Sequence, residues 1–249
     1  MVNMEIRRFP TPEYPITNAM NVLCTNLSFA NGIKKIMLTS CRPQEGKSYI
    51  AMHLLRSMAE GLGLRAVLVD ADIRASQLRG KYGIKIAENK AYPGLSGYLS
   101  GACEIEDIIG RTNIPGADLI LSGKTVINSL PLYNSSHMER LLNRLASEYD
   151  VVIVDAPPVG TLVDTAKIAS LCDGTLFVVA SGGVRARKLK EAVLQIEKAG
   201  CPIVGYVLNK SKESSGDTGD YYYGGYDTRN GKKGHGAAKS VHRKSSETI

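Results

Sequence analysis

The sequence predicts an α/β fold in which a mostly parallel sheet is flanked by helices on both faces. From Lys34 onward, short β-branched and aliphatic runs alternate with longer amphipathic stretches, which is the order that strand–helix–strand units produce. Acidic or phosphate-binding residue types follow three of these apolar runs, and open parallel sheets bind ligands at that end of their strands. With 249 residues, of which 43% are hydrophobic, the chain can bury a full core.

The individual elements follow from the periodicity of the apolar residues. Apolar runs predict strands at 35–39, 66–69, 118–121, 151–154, 175–180 and 203–208. Helical spacing predicts helices at 47–62, 137–148, 164–171 and 186–199. Before the first strand, residues 15–30 should form a further helix that packs on the sheet through one apolar face, which comprises Ile16, Ala19, Met20, Leu23, Leu27 and Ala30.

The composition changes after Lys210. Residues 211–249 have almost no aliphatic side chains and are dense in Gly, Ser and charge, so they cannot bury enough surface to fold alone. We therefore expect an N-terminal extension and helix (1–32), a central α/β domain (33–210) and a flexible, basic, tyrosine-containing tail (211–249).

Charge and cysteine content narrow the classes of function. The 31 Lys and Arg residues exceed the 24 Asp and Glu residues, and much of the net charge of +7 follows Tyr226. Nucleic acid, anionic lipid or simple solvation would each explain such a tail.

No segment reaches the roughly 20 apolar residues that span a bilayer, so we expect a soluble protein. None of the cysteines forms a CxxC pair or lies near histidines at metal-ligand spacing, so a reducing cytosol fits best. The five cysteines are Cys24, Cys41, Cys103, Cys172 and Cys201.

The central motif is MLTSCRPQEGKSYIAMHLL, residues 37–55, in which an apolar strand and a polar turn lead through GKS into a helix. This arrangement surrounds a phosphate with backbone N–H groups and the positive end of a helix dipole. Lys47 can then reach the β and γ phosphates, and the Ser48 hydroxyl can bind Mg²⁺. Cys41 stands where the GxxxxGK[ST] pattern has its first glycine. The residues expected to contact the nucleotide are Ser40, Cys41, Arg42, Pro43, Gln44, Glu45, Gly46, Lys47, Ser48 and Tyr49.

Two acidic segments follow later strands. VLVDADIR ends in Asp70 and Asp72, and VVIVDAPP carries Asp155, the usual position of a carboxylate that holds Mg²⁺ directly or through water. A lone Asp after a strand is often a helix cap or turn residue, and Lys47 with Ser48 could simply begin a helix. Three such sites in this order favour a nucleotide site of the P-loop NTPase type, with ATP and Mg²⁺ as cofactors.

These three segments resemble those of the bacterial tyrosine kinases of capsule and exopolysaccharide synthesis. That family carries S-x-x-P-G-E-G-K-S, D-x-D-x-R and D-x-P, and this chain has SCRPQEGKS, DADIR and DAPP. The resemblance spans roughly residues 17–226, including GLSGYLSGACEIEDII and VGYVLNK. Its most specific part is the second segment, which related partitioning ATPases seldom carry.

Family members also end in closely spaced tyrosines that are autophosphorylated, usually between subunits, and here YYYGGY provides Tyr221, Tyr222, Tyr223 and Tyr226. The alternative is a merely solvated tail.

The resemblance implies a role for each site residue. Lys47 and the loop amides would hold the ATP phosphates, while Ser48, Asp72 and Asp155 would organise Mg²⁺. Asp70 would accept the tyrosine hydroxyl proton, because a phenol of pKa near 10 needs a base at neutral pH. Asn209, at the end of the last strand, resembles the residue that contacts adenine in related ATPases, although a turn-forming Asn fits equally well.

The chain departs from the family pattern in two places. Gln44 replaces the glycine before Glu45, and a left-handed backbone there would store roughly 1–2 kcal/mol of strain. The family's first helix carries ExxRxxR, which joins subunits into a ring, whereas the aligned positions here are Asn18, Asn21 and Cys24. Self-association would therefore depend on other contacts.

The function implied is an ATP-dependent protein tyrosine kinase that autophosphorylates its tail and regulates capsular or exopolysaccharide synthesis and export. The expected partners are a membrane-embedded activator resembling a polysaccharide co-polymerase, a second subunit, a tyrosine phosphatase and sugar-handling enzymes as substrates, with no specific nucleic acid. The location would be cytoplasmic, at the inner face of the membrane. Two alternatives are a partitioning-type ATPase switch, which would not need the tail, and a degenerate kinase that acts as a scaffold.

Overall fold

A sheet of nine strands lies at the centre of the part of the chain that the structure describes, residues 1–11, 14–30, 32–87, 92–159 and 164–211 of a computed structural model. The strands are β1 (Val2–Glu5), β2 (Lys35–Ser40), β3 (Ala66–Asp70), β4 (Lys85–Ile86), β5 (Gly110–Arg111), β6 (Ala117–Ile120), β7 (Val151–Asp155), β8 (Gly174–Ala180) and β9 (Ile203–Asn209). Their order across the sheet is β4-β1-β5-β6-β3-β7-β2-β8-β9. Neighbours are parallel except β1 with β4 and β5 with β6.

Eight α-helices connect these strands in the described residues. They are α1 (Tyr14–Ser28), α2 (Lys47–Arg56), α3 (Leu78–Lys81), α4 (Gly94–Leu99), α5 (Leu130–Tyr133), α6 (Ser136–Glu148), α7 (Asp164–Ala169) and α8 (Ala186–Lys198). The helix predicted at 47–62 widens into a π-helix at Ser57–Gly61. The left-handed backbone of Gly63, φ +67°, follows it and turns the chain towards β3.

The central strands are apolar on both faces, and each face packs against its own set of helices. In β2, Ile36 and Leu38 join the core beneath α1 and α2, whereas Met37 between them joins the core beneath α4 to α8. Successive side chains of a strand point to opposite faces, so a continuous apolar run buries itself only in a sheet covered on both sides. The predicted fold class is therefore confirmed.

The six predicted strands are present with small changes at their ends, but β1, β4 and β5 were not predicted. These strands have two to four residues and mix polar with apolar side chains. In the predicted helix α1, the buried residues are Met20, Cys24 and Leu27, whereas Ala19 is exposed, contrary to the prediction. The helix is thus turned so that Cys24, one of the positions aligned with the family's ring charges, faces the core.

Parallel pairing brings three strand ends to one edge of the sheet. Within β2, β3 and β7, Leu38 pairs with Asp155, and Asp155 pairs with Asp70. The loop that follows β2 therefore begins beside both acidic segments. No helix in the described residues is long and apolar enough to cross a membrane.

Candidate functional site

The loop between β2 and α2 is held by a buried carboxylate of its own. Glu45 is 3% exposed, and its Oε2 accepts the Arg42 N–H at 2.7 Å while its Oε1 accepts the Ala180 N–H at 3.2 Å. The Ser40 hydroxyl donates to the Arg42 carbonyl oxygen at 2.8 Å. Glu45 therefore fixes the loop against the end of β8 and has no part in lining the adjacent cavity.

The end of β9 supports the same loop from the other side. Asn209 Nδ2 donates to the Glu45 carbonyl oxygen at 2.9 Å, and Lys210 Nζ donates to the Gln44 carbonyl oxygen at 2.7 Å. A Cβ atom on Gly46, φ +99°, would lie 2.0 Å from Asn209 Nδ2, so only glycine fits there. Asn209 thus organises the loop backbone, a contact that its predicted role at adenine did not include.

Gln44 adopts the left-handed backbone that its position in the motif suggested, with φ +64°. A non-glycine residue in this region stores roughly 1–2 kcal/mol of strain. The Lys210 contact with the Gln44 carbonyl oxygen is one interaction that holds this conformation.

Lys47 begins α2 and lies between two carboxylates. Its Nζ is 3.3 Å from Asp72 Oδ2 and 4.0 Å from Asp155 Oδ1, and the residue is 8% exposed. Burial lowers the pKa of Lys47, but the negative charges of Asp155 and Asp72 outweigh burial, so the pKa is raised overall. The ammonium is therefore charged at neutral pH and compensates carboxylates at the base of the site.

Asp155 is a buried carboxylate that faces Lys47 and the Ser48 hydroxyl. The residue is 1% exposed, and neither Oδ1 nor Oδ2 has a hydrogen-bond donor among the described residues. Burial raises its pKa, opposed by the Lys47 ammonium, by the nearby Ser48 hydroxyl and by Lys81. Buried carboxylate oxygens that lack a hydrogen-bond donor are unfavourable unless a cation or donor approaches them closely. Asp155 is therefore suited to a metal ion or to a water molecule bound to one.

Asp70 is set behind the cavity. Its Oδ2 accepts hydrogen bonds from the Ser76 hydroxyl and, at 3.3 Å, from the Ser122 N–H, while Oδ1 has no donor in the described residues. Burial first, and then the charge of Asp155, raise the pKa of Asp70 to about 7. Asp70 does not line the cavity, whereas Ser76 does.

A cavity of about 680 Å³ opens above the loop. Of the residues predicted from sequence, it is lined by Pro43, Gln44, Gly46, Lys47, Ser48, Tyr49, Asp72 and Asn209. Ser40, Cys41, Arg42, Glu45, Asp70 and Asp155 do not line it. Cys41, in the place of the first motif glycine, is 5% exposed and joins the hydrophobic core, and burial raises the pKa of its thiol to about 11.

Further lining residues were not predicted. They are Arg74, Ala75, Ser76, Gln77, Leu78, Lys81, Pro158 and Lys210. Arg74 is the last residue of DADIR and Lys210 the last of VGYVLNK, so two of them belonged to recognised segments. Nothing in the sequence pattern marked Ser76 or Lys81, because the fold of the chain after β3 decides which of residues 74–81 face the cavity.

The donor set suits Mg²⁺ that arrives with a nucleotide. In the described part of the chain, no three His, Cys, Asp or Glu side chains form a group that could hold a metal ion. Mg²⁺ commonly uses only one or two carboxylates and completes its octahedron with phosphate oxygens and water. Ser48, Asp72 and Asp155 meet this need, and the Asp155 oxygens, which have no hydrogen-bond donor by distance among the described residues, are the clearest sign of it. The predicted acceptor tyrosines, Tyr221, Tyr222, Tyr223 and Tyr226, lie outside the described residues.

Comparison with known proteins identifies the family. A family model described as AAA domain matches residues 33–182. Tyrosine-protein kinase CpsD of Streptococcus agalactiae is 35% identical over 214 residues, which cover 86% of this chain and 90% of that protein. The chain belongs to the bacterial tyrosine kinases. The family resemblance carried by SCRPQEGKS, DADIR and DAPP is therefore confirmed.

Solved structures agree with this family. The kinase domain of Escherichia coli tyrosine kinase ETK matches the present kinase with a TM-score of 0.74 and 27% identity, covering 87% of this chain and 88% of that one. The chimerical protein CapA2B2 matches with a TM-score of 0.73 and 27% identity, covering 85% and 94% respectively. The kinase thus has a P-loop ATPase fold, which in general binds a nucleotide together with Mg²⁺.

Proposed function

We propose that this kinase transfers the γ-phosphoryl group of ATP to tyrosines of its own tail, Tyr221, Tyr222, Tyr223 and Tyr226. The observation that supports this most directly is the placement of Lys47. Its ammonium lies at the start of α2, at the wall of the cavity, 3.3 Å from Asp72 and 4.0 Å from Asp155. A cation at a helix N-terminus beside two carboxylates is the arrangement that binds a phosphate chain and its metal ion.

The loop and Lys47 would bind the ATP phosphates. The loop leads through Gly46, where only glycine fits, directly into the start of α2, and the backbone N–H groups at a helix start favour a bound phosphate. Lys47 is paired with Asp72 and Asp155. Phosphate binding would shift this ammonium from the carboxylates to the phosphates, leaving both carboxylates available for a cation.

Ser48, Asp72 and Asp155 would hold Mg²⁺, which when bound neutralises phosphate charge during transfer. Asp72 is already fixed for this role, because its Oδ1 accepts the Ala75 N–H at 3.2 Å while its Oδ2 faces Lys47. Asn209 would support the phosphate-binding loop through its bond to the Glu45 carbonyl oxygen, and because it also lines the cavity it would contact the nucleotide there.

Phosphoryl transfer forms a bond between the tyrosine oxygen and the γ-phosphorus and breaks the bond from that phosphorus to the bridging oxygen of ADP. The tyrosine loses its hydroxyl proton in this step. Because Asp70 lies behind Ser76, the proton would reach it by two moves: from tyrosine to Ser76 Oγ, and from the Ser76 hydroxyl to Asp70 Oδ2. A carboxylate with a pKa near 7 is well matched to such a role at neutral pH.

The cellular role follows from the family. The kinase would regulate capsular or exopolysaccharide synthesis and export. It would be cytoplasmic, and a membrane-embedded activator would recruit it to the inner face of the membrane. It would also bind a second subunit and a tyrosine phosphatase, and sugar-handling enzymes would be its substrates.

The test is mass measurement of the purified chain before and after incubation with Mg²⁺, ATP and the cytosolic part of its activator. We expect the mass to increase in phosphate-sized steps. Lys47→Met should abolish the steps, and so should a variant in which all four tail tyrosines are changed to Phe. Absence of phosphotyrosine in the unaltered chain would show the proposal to be wrong.

A degenerate kinase acting as a scaffold is the second candidate, because Gln44 holds a left-handed backbone where the family has glycine. It predicts ATP binding without transfer. Calorimetry with ATP alongside the mass measurement separates the two functions, since the kinase requires both binding and transfer.

A further inference from the structure

Two cations at the cavity wall lack a carboxylate at ion-pair distance in the described part of the chain, and the charge of one of them, Lys81, acts on the buried Asp155 from further away. Arg74 and Lys81 are exposed and line the cavity, and within the described ranges neither forms an ion pair. The other two lining cations are engaged: Lys47 pairs with Asp72, and Lys210 donates to the Gln44 carbonyl oxygen. The segment after β3 therefore brings two exposed positive charges to one part of the cavity wall.

Two aromatic rings hold the Lys81 ammonium in position through cation–π contacts. Its Nζ lies 5.5 Å from the centroid of the Tyr49 ring and 5.9 Å from that of Tyr82. Tyr82 is fully buried, and Tyr49 packs on His53 with ring centroids 4.2 Å apart. Neighbouring side chains therefore hold both rings in place. A cation–π contact orients an ammonium without neutralising its formal charge. Lys81 can thus still pair with a carboxylate that enters the cavity.

The sequence around the tail tyrosines carries the complementary charge. Asp220 immediately precedes Tyr221, Asp227 immediately follows Tyr226, and Asp217 lies three residues further upstream. No Lys or Arg occurs between residues 213 and 228, although the tail beyond this segment is strongly basic. The acceptor segment is therefore acidic within a basic chain.

We infer that Lys81, assisted by Arg74, selects the acceptor by pairing with the Asp beside the tyrosine that enters the cavity. This rests on the proposed function and adds the rule by which one tyrosine segment is preferred over another. The tyrosine ring enters towards Ser76 and the nucleotide, while its acidic neighbour remains at the wall formed by residues 74–81. Tyrosines without a flanking carboxylate are poorer acceptors.

The test measures initial rates of autophosphorylation in the full chain, with Mg²⁺, ATP and the activator fragment present. Lys81→Met should slow the reaction about five-fold, the limit for one partly exposed ion pair, and Lys81→Glu should slow it further. Lys81→Arg, which keeps the charge, should restore most of the rate. The matched control is Lys198→Met, an exposed lysine at the end of α8 that does not line the cavity.

The tail supplies the other half of a double-mutant cycle. Changing Asp220 and Asp227 to Asn should slow the reaction as much as Lys81→Met does, and combining these changes should add little. Changing both aspartates to Lys should partly rescue Lys81→Glu. Affinity for ADP, measured by calorimetry, should remain within about two-fold in every Lys81 variant, since the inference places this side chain at the acceptor.

The results that would overturn the inference are distinct from failure of the kinase proposal. An unaltered rate in Lys81→Met, strictly additive effects of the Lys81 and tail changes, or a loss of ADP affinity that parallels the loss of rate would each refute acceptor selection by Lys81. The last result would place Lys81 on the nucleotide phosphates. An unaltered chain that forms no phosphotyrosine would refute the kinase proposal itself.

Discussion

Replacing Asp70 by Asn tests the electrostatics of the site without removing its hydrogen bonds. The side-chain oxygen of the substituted amide would still accept from the Ser76 hydroxyl and the Ser122 N–H, because Asp and Asn have the same shape. The substitution removes a carboxyl group whose pKa, raised by burial and by Asp155, is about 7 in the folded chain against 3.8 for the ordinary group.

The sign and size of the effect follow from proton binding. Between about pH 4 and pH 7 the folded chain holds the Asp70 proton and the unfolded chain releases it, so the free energy of unfolding falls as pH rises through this window. At about 1.4 kcal/mol per pH unit, the difference of about three units corresponds to an upper limit of about 4 kcal/mol at pH 8. Asp70→Asn should therefore stabilise the chain by about 2–4 kcal/mol at pH 8, and by less than half of that at pH 5.

The assay is urea unfolding at pH 5, 6.5 and 8 without nucleotide or Mg²⁺, because both would bind the folded state and shift its stability. The exposed α8 substitution Glu197→Gln serves as the control and should change the free energy of unfolding by less than about 0.5 kcal/mol at each pH. Equal stability of Asp70→Asn and the unaltered chain at pH 8, or a gain that does not grow with pH, would refute the reasoning.

Three further substitutions probe the loop and the proton path. Gly46→Ala should destabilise the chain by about 2 kcal/mol or more and abolish ADP binding in calorimetry, since its Cβ would lie 2.0 Å from Asn209 Nδ2 at φ +99°; near-normal ADP affinity would contradict this geometry. Gln44→Gly should raise the free energy of unfolding by about 0.5–1 kcal/mol, because relief of left-handed strain exceeds the entropy that glycine loses, and an unchanged urea midpoint would argue against strain there. Ser76→Ala should lower the autophosphorylation kcat at least ten-fold while ADP affinity is retained, and a normal kcat would exclude the route to Asp70 through Ser76.

Much of the fold could be predicted because periodicity reports burial directly. Runs such as 66–69 and 151–154 are apolar at every position, and only a strand covered on both faces buries all of them. Strands β4 and β5 could not be predicted in this way, since each has two residues and its pairing depends on partners distant in the sequence. The turn of α1 that buries Cys24 and exposes Ala19 was likewise set by packing on the sheet.

The sequence alone determined the chemistry of the site. The GKS triplet and the aspartates at the ends of β3 and β7 carried the nucleotide prediction, because each residue type has a specific affinity for phosphate or Mg²⁺ and each follows an apolar strand. Tertiary structure decided which of these groups are accessible. It set Asp70 behind Ser76, assigned Glu45 to the support of the loop, and brought Lys81 against Tyr49. Accessibility and charge pairing depend on distances between segments far apart in the chain, and those distances exist only once the sheet has formed.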